Sequence, residues 1–326
     1  MFDFVYLLRI LAAILITNSH YEAVYPVSVI ANGGLLGDVI FFAVSGYCLF
    51  PVSHAFPKWY GRRLKRIYPV VWIITIIYLA AGFYKAGTAR GFVKLLLYPT
   101  YYHFVASILL LYIVFYFVSK LLQRRPARFD RTFVLVVIVL AAAYAILYAT
   151  AYDRSYYHID TVREPMIEFL YFFAMLIGLW FRNHKERYLG SRRIWPWLGA
   201  LVLFGGYFAS KIAFSRGMVS SQWQFVNQVI LLLLLICLFR GFIGLEAKLH
   251  RMPEKLHRAM VYVAGFAFEI YLVQYALIPR LNIGPFPVNF LLVSGSILVS
   301  AWLLHLLHDW IMGRIDGLLK KPERTA

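Results

Sequence analysis

Acidic residues are scarce in this 326-residue chain, with 15 Asp and Glu against 33 Lys and Arg. Cysteine is scarcer: Cys48 and Cys237 are the only two, and neither belongs to a CxxC pair. That spacing argues against a disulfide framework, a redox motif and a zinc site, and both thiols read as small buried hydrophobes within membrane segments. No period of 20–50 residues repeats, which excludes a solenoid. There is no low-complexity linker and no hydrophilic stretch able to form a soluble domain. The net charge of +18 therefore has no soluble face on which to build a nucleic-acid surface. It points instead to membrane topology and anionic headgroups. Before the first apolar run stand Asp3 and no cations, and no small-residue cleavage site follows, so that run is expected to be retained as a span.

What the chain does have is hydrophobicity: 62% of residues are apolar and mean hydropathy is +0.69, against about 45–50% apolar in soluble domains. The expected fold is all-α, a polytopic membrane protein of about ten transmembrane helices forming one integral unit over 1–326. The expected cores are 4–22, 34–52, 67–84, 102–119, 133–150, 165–181, 195–214, 224–243, 260–279 and 288–312. Phe92–Pro99 is too short to span and reads as an interfacial helix. If the N-terminus is cytoplasmic, 25 of the 33 Lys and Arg fall on the inside. This alternation supports ten spans with both termini cytoplasmic, in the cell's inner (cytoplasmic) membrane.

Ionisable groups inside spans are costly, so each is a functional candidate. Arg9 and His20 stand eleven residues apart in the first span. At about 100° per residue they share one helix face, roughly 16 Å apart along the axis. Snorkelling of Arg9 and an interfacial His20 are the bland readings of the two taken singly. In GGLLGDVIFFAVSGYCLF (33–50), Asp38 lies near the outer end, either paired with a buried cation or solvated, and Gly33, Gly34 and Gly37 permit close helix approach. Ser45 lacks both the GxSxG and the SxxK setting of a nucleophile, leaving packing or a substrate hydrogen bond. In KWYGRRLKRIYP (58–69), Arg63 and Arg66 present two guanidinium forks at i and i+3, suited to phosphate, while Pro69 is placed in the first turn of the next span. Glu269 and Gln274 lie inside the ninth span. In HLLHD (305–309), His305 and Asp309 share a face, read as stabilising a helix end. No metal site is expected.

These stretches, taken in order, resemble the integral-membrane acyltransferase family 3, which includes bacterial O-acetyltransferases of cell-surface polysaccharides. The resemblance rests on the Arg9/His20 spacing, the GGLLGDVIFFAVSGY segment, Arg63-Leu-Lys-Arg66-Ile-Tyr-Pro69 and the late FEIYLVQ segment. It implies transfer of an acyl group, acetyl by family frequency and succinyl next, from cytoplasmic acyl-CoA to an acceptor at or across the membrane. It implies an acyl-CoA site at Arg63 and Arg66, essential roles for Arg9 and His20, and no permanently bound cofactor. Many members carry histidine where this chain has Gln274, and some fuse a soluble extracytoplasmic domain not seen here. If transfer has two stages, a separate extracytoplasmic partner would supply the second; a homo-oligomer is the other partner considered.

A sugar hydroxyl stays protonated at neutral pH, so transfer benefits from a base. His20 is the first choice, because imidazole titrates near working pH and burial would keep it neutral. An acyl-histidine intermediate is the alternative. Arg9 would hold the donor arm or stabilise charge on the thioester carbonyl. Tyr101, Tyr102, Tyr156 and Tyr157 would either stack on sugar or form an interfacial belt. The rival functions are a transporter or flippase for a lipid-linked sugar, which would more often show inverted repeats, and a non-catalytic scaffold.

Overall fold

A computed structural model describes residues 2–97, 103–155, 162–191 and 193–319. Among these the chain forms fourteen α-helices and no strand. They are α1 (Asp3–Ser19), α2 (Gly34–Leu49), α3 (Phe56–Ala80), α4 (Ala89–Leu97), α5 (His103–Gln123), α6 (Phe129–Thr150) and α7 (Met166–Asn183). Then follow α8 (Lys185–Tyr188), α9 (Trp195–Ser215), α10 (Phe225–Gly244), α11 (Glu246–Leu249), α12 (Glu254–Gly265), α13 (Ala267–Leu281) and α14 (Val288–Leu319). The helical form is what lipid demands, since each backbone N–H and C=O must be satisfied within its own segment. The four expected sugar-stacking tyrosines, Tyr101, Tyr102, Tyr156 and Tyr157, lie outside the described residues.

Seven segments are long and apolar enough to cross a membrane, those built on α2, α5, α6, α7, α9, α10 and α14. The α12–α13 pair, bent by 55°, makes an eighth if it is one span. This is fewer than the ten expected, and two helices account for the difference. Helix α1 has only 17 residues, and α3 is cationic through its first half. Nor does α3 begin beside Pro69: it runs unbroken for 25 residues with Pro69 inside. The proline frees the carbonyl of residue 65, and Lys65 is exposed among cations rather than set in apolar packing. The basic stretch is thus a rigid helical extension.

The closest packing is between α2 and α7. A Cβ on Gly46 would lie 2.0 Å from the Met175 carbonyl oxygen, and one on Gly178 would lie 1.8 Å from that of Ala43. The backbones touch, as small residues allow where water provides no hydrophobic drive between helices. On the other side of α2, Gly37 lies against α1, where an added Cβ would meet Ala12 O at 2.7 Å. The α1 N-terminus is capped from far along the chain. The Asp3 and Phe4 N–H groups donate to Glu246 Oε1 and Oε2, at 3.0 and 2.9 Å, answering two orphan donors and the positive end of the helix dipole. The Asp3 carboxylate in turn meets His257 Nε2 at 2.8 Å and His250 Nδ1 at 3.3 Å.

Contacts define two ends of the bundle. At one, the Arg182 guanidinium lies 5.6 Å above the Phe2 ring and Arg240 lies 5.1 Å above Tyr188. Lys120 Nζ donates to Val52 O at 3.2 Å, and His184 meets Asp130 at 3.1 Å. This is the basic end. At the opposite end, Asn282 and Asn289 donate to the carbonyls of Ala23 and Val24 at 2.7 and 2.9 Å. There Lys211, buried between the Tyr207 and Phe208 rings, donates to Asn32 Oδ1 at 2.7 Å.

Candidate active site

Toward the basic end, α1, α2, α3, α5, α13 and α14 enclose a cavity of about 280 Å³. Five residues singled out in the sequence line it: Arg9 from α1, Ser45 from α2, Arg63 and Arg66 from α3, and Glu269 from α13. The helical extension of α3 places Arg63 and Arg66 one turn apart on the cavity side. Arg63 is half-buried, with its guanidinium carbon 5.2 Å above the ring of buried Trp59, which meets Tyr112 edge-on at 6.0 Å. Its Nε is buried without a hydrogen-bond partner. Arg66 is exposed. Three guanidinium groups thus face one small space whose anionic side chains are Glu269 and Asp309. That balance favours an anionic ligand.

Asp38 and His20 are not part of this cavity. Asp38, half-buried, accepts a hydrogen bond from the Tyr171 hydroxyl at 2.8 Å. The Tyr171 ring stacks on Phe42 at 4.2 Å. His20 is exposed, not buried as the sequence suggested, because α1 ends at Ser19 and His20 is its C-cap, with its N–H donating to Thr17 O at 3.1 Å. Ala12, Ala13 and Ile16, expected between Arg9 and His20, are buried. Near His20, residues that include Thr17, Tyr21 and Tyr25 line a separate, mostly apolar cavity of about 340 Å³.

Four further residues line the Arg9 cavity that sequence reasoning did not assign to the site. Cys48, one turn beyond Ser45, is exposed there rather than buried as a small hydrophobe. His305 and His308 also line it, together with Asp309. Glu269 Oε1 meets His305 Nδ1 at 2.9 Å, and His305 Nε2 lies 3.5 Å from Asp309 Oδ2. His308 Nδ1 lies 3.4 Å from Asp309 Oδ1. The HLLHD spacing showed one helical face but not its partner, since Glu269 is 36 residues away on another helix. Gln274 is buried with neither side-chain polar atom hydrogen-bonded. Among the described residues, no three His, Cys, Asp or Glu side chains form a metal-binding group.

A multi-pass helical membrane protein with a small, arginine-lined cavity facing one end is the class these features define. Residues 2–306 match the family model described as the acyltransferase domain, so the chain belongs to acyltransferase family 3 and is a membrane acyltransferase. No curated protein and no solved structure matches it significantly.

Proposed function

We propose that this protein transfers an acyl group, acetyl in the first instance, from cytoplasmic acyl-CoA to a hydroxyl of a cell-surface glycan or lipid-linked sugar. The observation that carries the reading is the meeting of Arg9, Arg63 and Arg66 in one cavity of about 280 Å³. Pockets for whole drug-sized ligands run to about 300–1,000 Å³. The space therefore suits the thioester arm, with the nucleotide outside against exposed Arg62, Lys65 and Arg66. Arg63 and Arg66 grip CoA phosphates, and Arg9 holds the donor arm or the developing carbonyl charge. Ser45 offers a substrate hydrogen bond. His20 stands roughly 16 Å farther along α1, as the base for the acceptor hydroxyl or as the carrier of the acyl group. Its exposure suits an acceptor arriving from the opposite end.

The same reading places ten crossings in the inner membrane, with the basic end cytoplasmic. Its support is that segments at the expected inside meet one another: residue 52 with 120 and 123, 130 with 184, 2 with 182, and 188 with 240. The decisive measurement uses native membranes carrying the acceptor, supplied with labelled acetyl-CoA. CoA thiol should appear as label enters the glycan fraction, and mass spectrometry of surface glycans with and without the gene identifies the acceptor. Charge reversal at Arg63 and Arg66 should abolish donor binding, and His20→Ala should abolish transfer at normal protein levels. Absence of CoA release from the wild type overturns the reading.

A further inference from the structure

We propose that His308 is the general acid that delivers a proton from Nε2 to the sulfur of the departing CoA, held in place by Glu269, His305 and Asp309. This rests on the acyl-CoA reading of the same cavity. The four groups are neighbours in space: Glu269 Oε1 is hydrogen-bonded to His305 Nδ1 at 2.9 Å, and Asp309 makes ion-pair contacts with His305 Nε2 at 3.5 Å and His308 Nδ1 at 3.4 Å. They join α13 to α14, and all four residues line the cavity that holds the three arginines.

Two observations distinguish the cluster from a helix-end ion pair. Glu269 is 5% exposed, and a carboxylate at that depth is costly unless it is used. His308 Nε2 is buried and has no hydrogen-bond partner, a cost a purely structural histidine has no reason to bear. An Asp309 oxygen beside Nδ1 assigns that nitrogen as the N–H and leaves Nε2 free to exchange a proton with a ligand. The Asp309 side chain is 62% exposed, so water reaches the edge of this cluster.

The step balances as follows. The acceptor oxygen, or the acyl-carrying group, forms its bond to the thioester carbon, and the C–S bond breaks with its electron pair on sulfur. His308, as the imidazolium with its Nδ1–H toward Asp309, gives its Nε2 proton to that sulfur, and Nε2 takes a proton back from water once CoA has left. The proton lost by the acceptor hydroxyl leaves through its own base. The charges facing His308 come from several elements. Glu269 of α13 and Asp309 are the carboxylates, and Arg9 of α1 and Arg63 and Arg66 of α3 are the cations. His305 stands between the carboxylates, and Cys48 and Tyr112 complete the titratable lining.

The test measures CoA release from acetyl-CoA in native membranes as a function of pH, alongside acetyl-CoA binding to purified protein. His308→Gln, with His308→Asn as a second variant, should lower kcat roughly 100- to 10,000-fold and leave donor affinity unchanged. Glu269→Gln, His305→Gln and Asp309→Asn act by positioning. Each should lower kcat less than the His308 variants do and leave the donor KM unchanged. Wild-type kcat in the His308 variants overturns the general-acid role, while loss of donor binding on charge reversal at Arg63 and Arg66 would leave the acyl-CoA reading standing. Absence of CoA release from the wild type overturns both.

Discussion

Arg63 and Cys48 occupy one cavity wall region with very different chemistry, and each reports on what fills it. Arg63 combines a planar fork with stacking on Trp59, 5.2 Å below. Lysine keeps the charge but loses both features. Stacking alone contributes about 0.5–2 kcal/mol, and about 1.4 kcal/mol is tenfold in binding. Arg63→Lys should therefore raise the acyl-CoA KM roughly tenfold or more, with kcat much less affected. Cys48 offers a direct readout of occupancy because it is exposed in the cavity, whereas Cys237 is only partly accessible. In a Cys237→Ala background, maleimide labelling of Cys48 should slow several-fold under saturating acetyl-CoA. Equal rates with and without donor would place the acyl arm elsewhere.

At the scale of elements, the α2–α7 crossing fixes the wall that carries Ser45 and Cys48. A methyl group at Gly46 or Gly178 would fall 2.0 or 1.8 Å from a backbone oxygen of the partner helix, and backbone has no rotamer with which to yield. Gly46→Ala and Gly178→Ala should each cost at least about 1–3 kcal/mol, the usual range for overpacking. The drop should appear as a lower melting temperature in detergent, whereas Gly205→Ala, with open space at its Cβ, should change little. Much of this level was legible in the sequence. Apolar runs marked the helices because lipid permits a spanning segment few other forms, and the i, i+3 spacing set Arg63 and Arg66 on a shared face. What the sequence concealed was continuity and partnership. A proline inside α3 looked like a helix start, His20 looked buried until the helix ended one residue before it, and the HLLHD face lacked its Glu269 partner. Each depends on tertiary packing, which local periodicity does not encode.

For the whole molecule, the two ends carry the functional argument, because the proposed donor from one compartment and acceptor from the other would require Arg9 and His20 to face different sides. Exposed positions exist at both ends to test this: Ala127, between α5 and α6 beside the basic segment, and Met218, between α9 and α10, which is 74% exposed. In a background lacking Cys48 and Cys237, Ala127→Cys and Met218→Cys each place one thiol at a known end. A membrane-impermeant maleimide added to intact cells with an opened outer barrier should modify Met218→Cys and spare Ala127→Cys, with both reacting once the inner membrane is permeabilised. The Lys and Arg bias predicts this sense, since five cations lie in 120–132 and only Lys211 and Arg216 lie near Met218. Reversed labelling would put the arginine-lined cavity on the side that lacks CoA, and equal labelling would mean that the two loops share a side. Either result would separate the cavity from its donor and require another ligand for the three arginines.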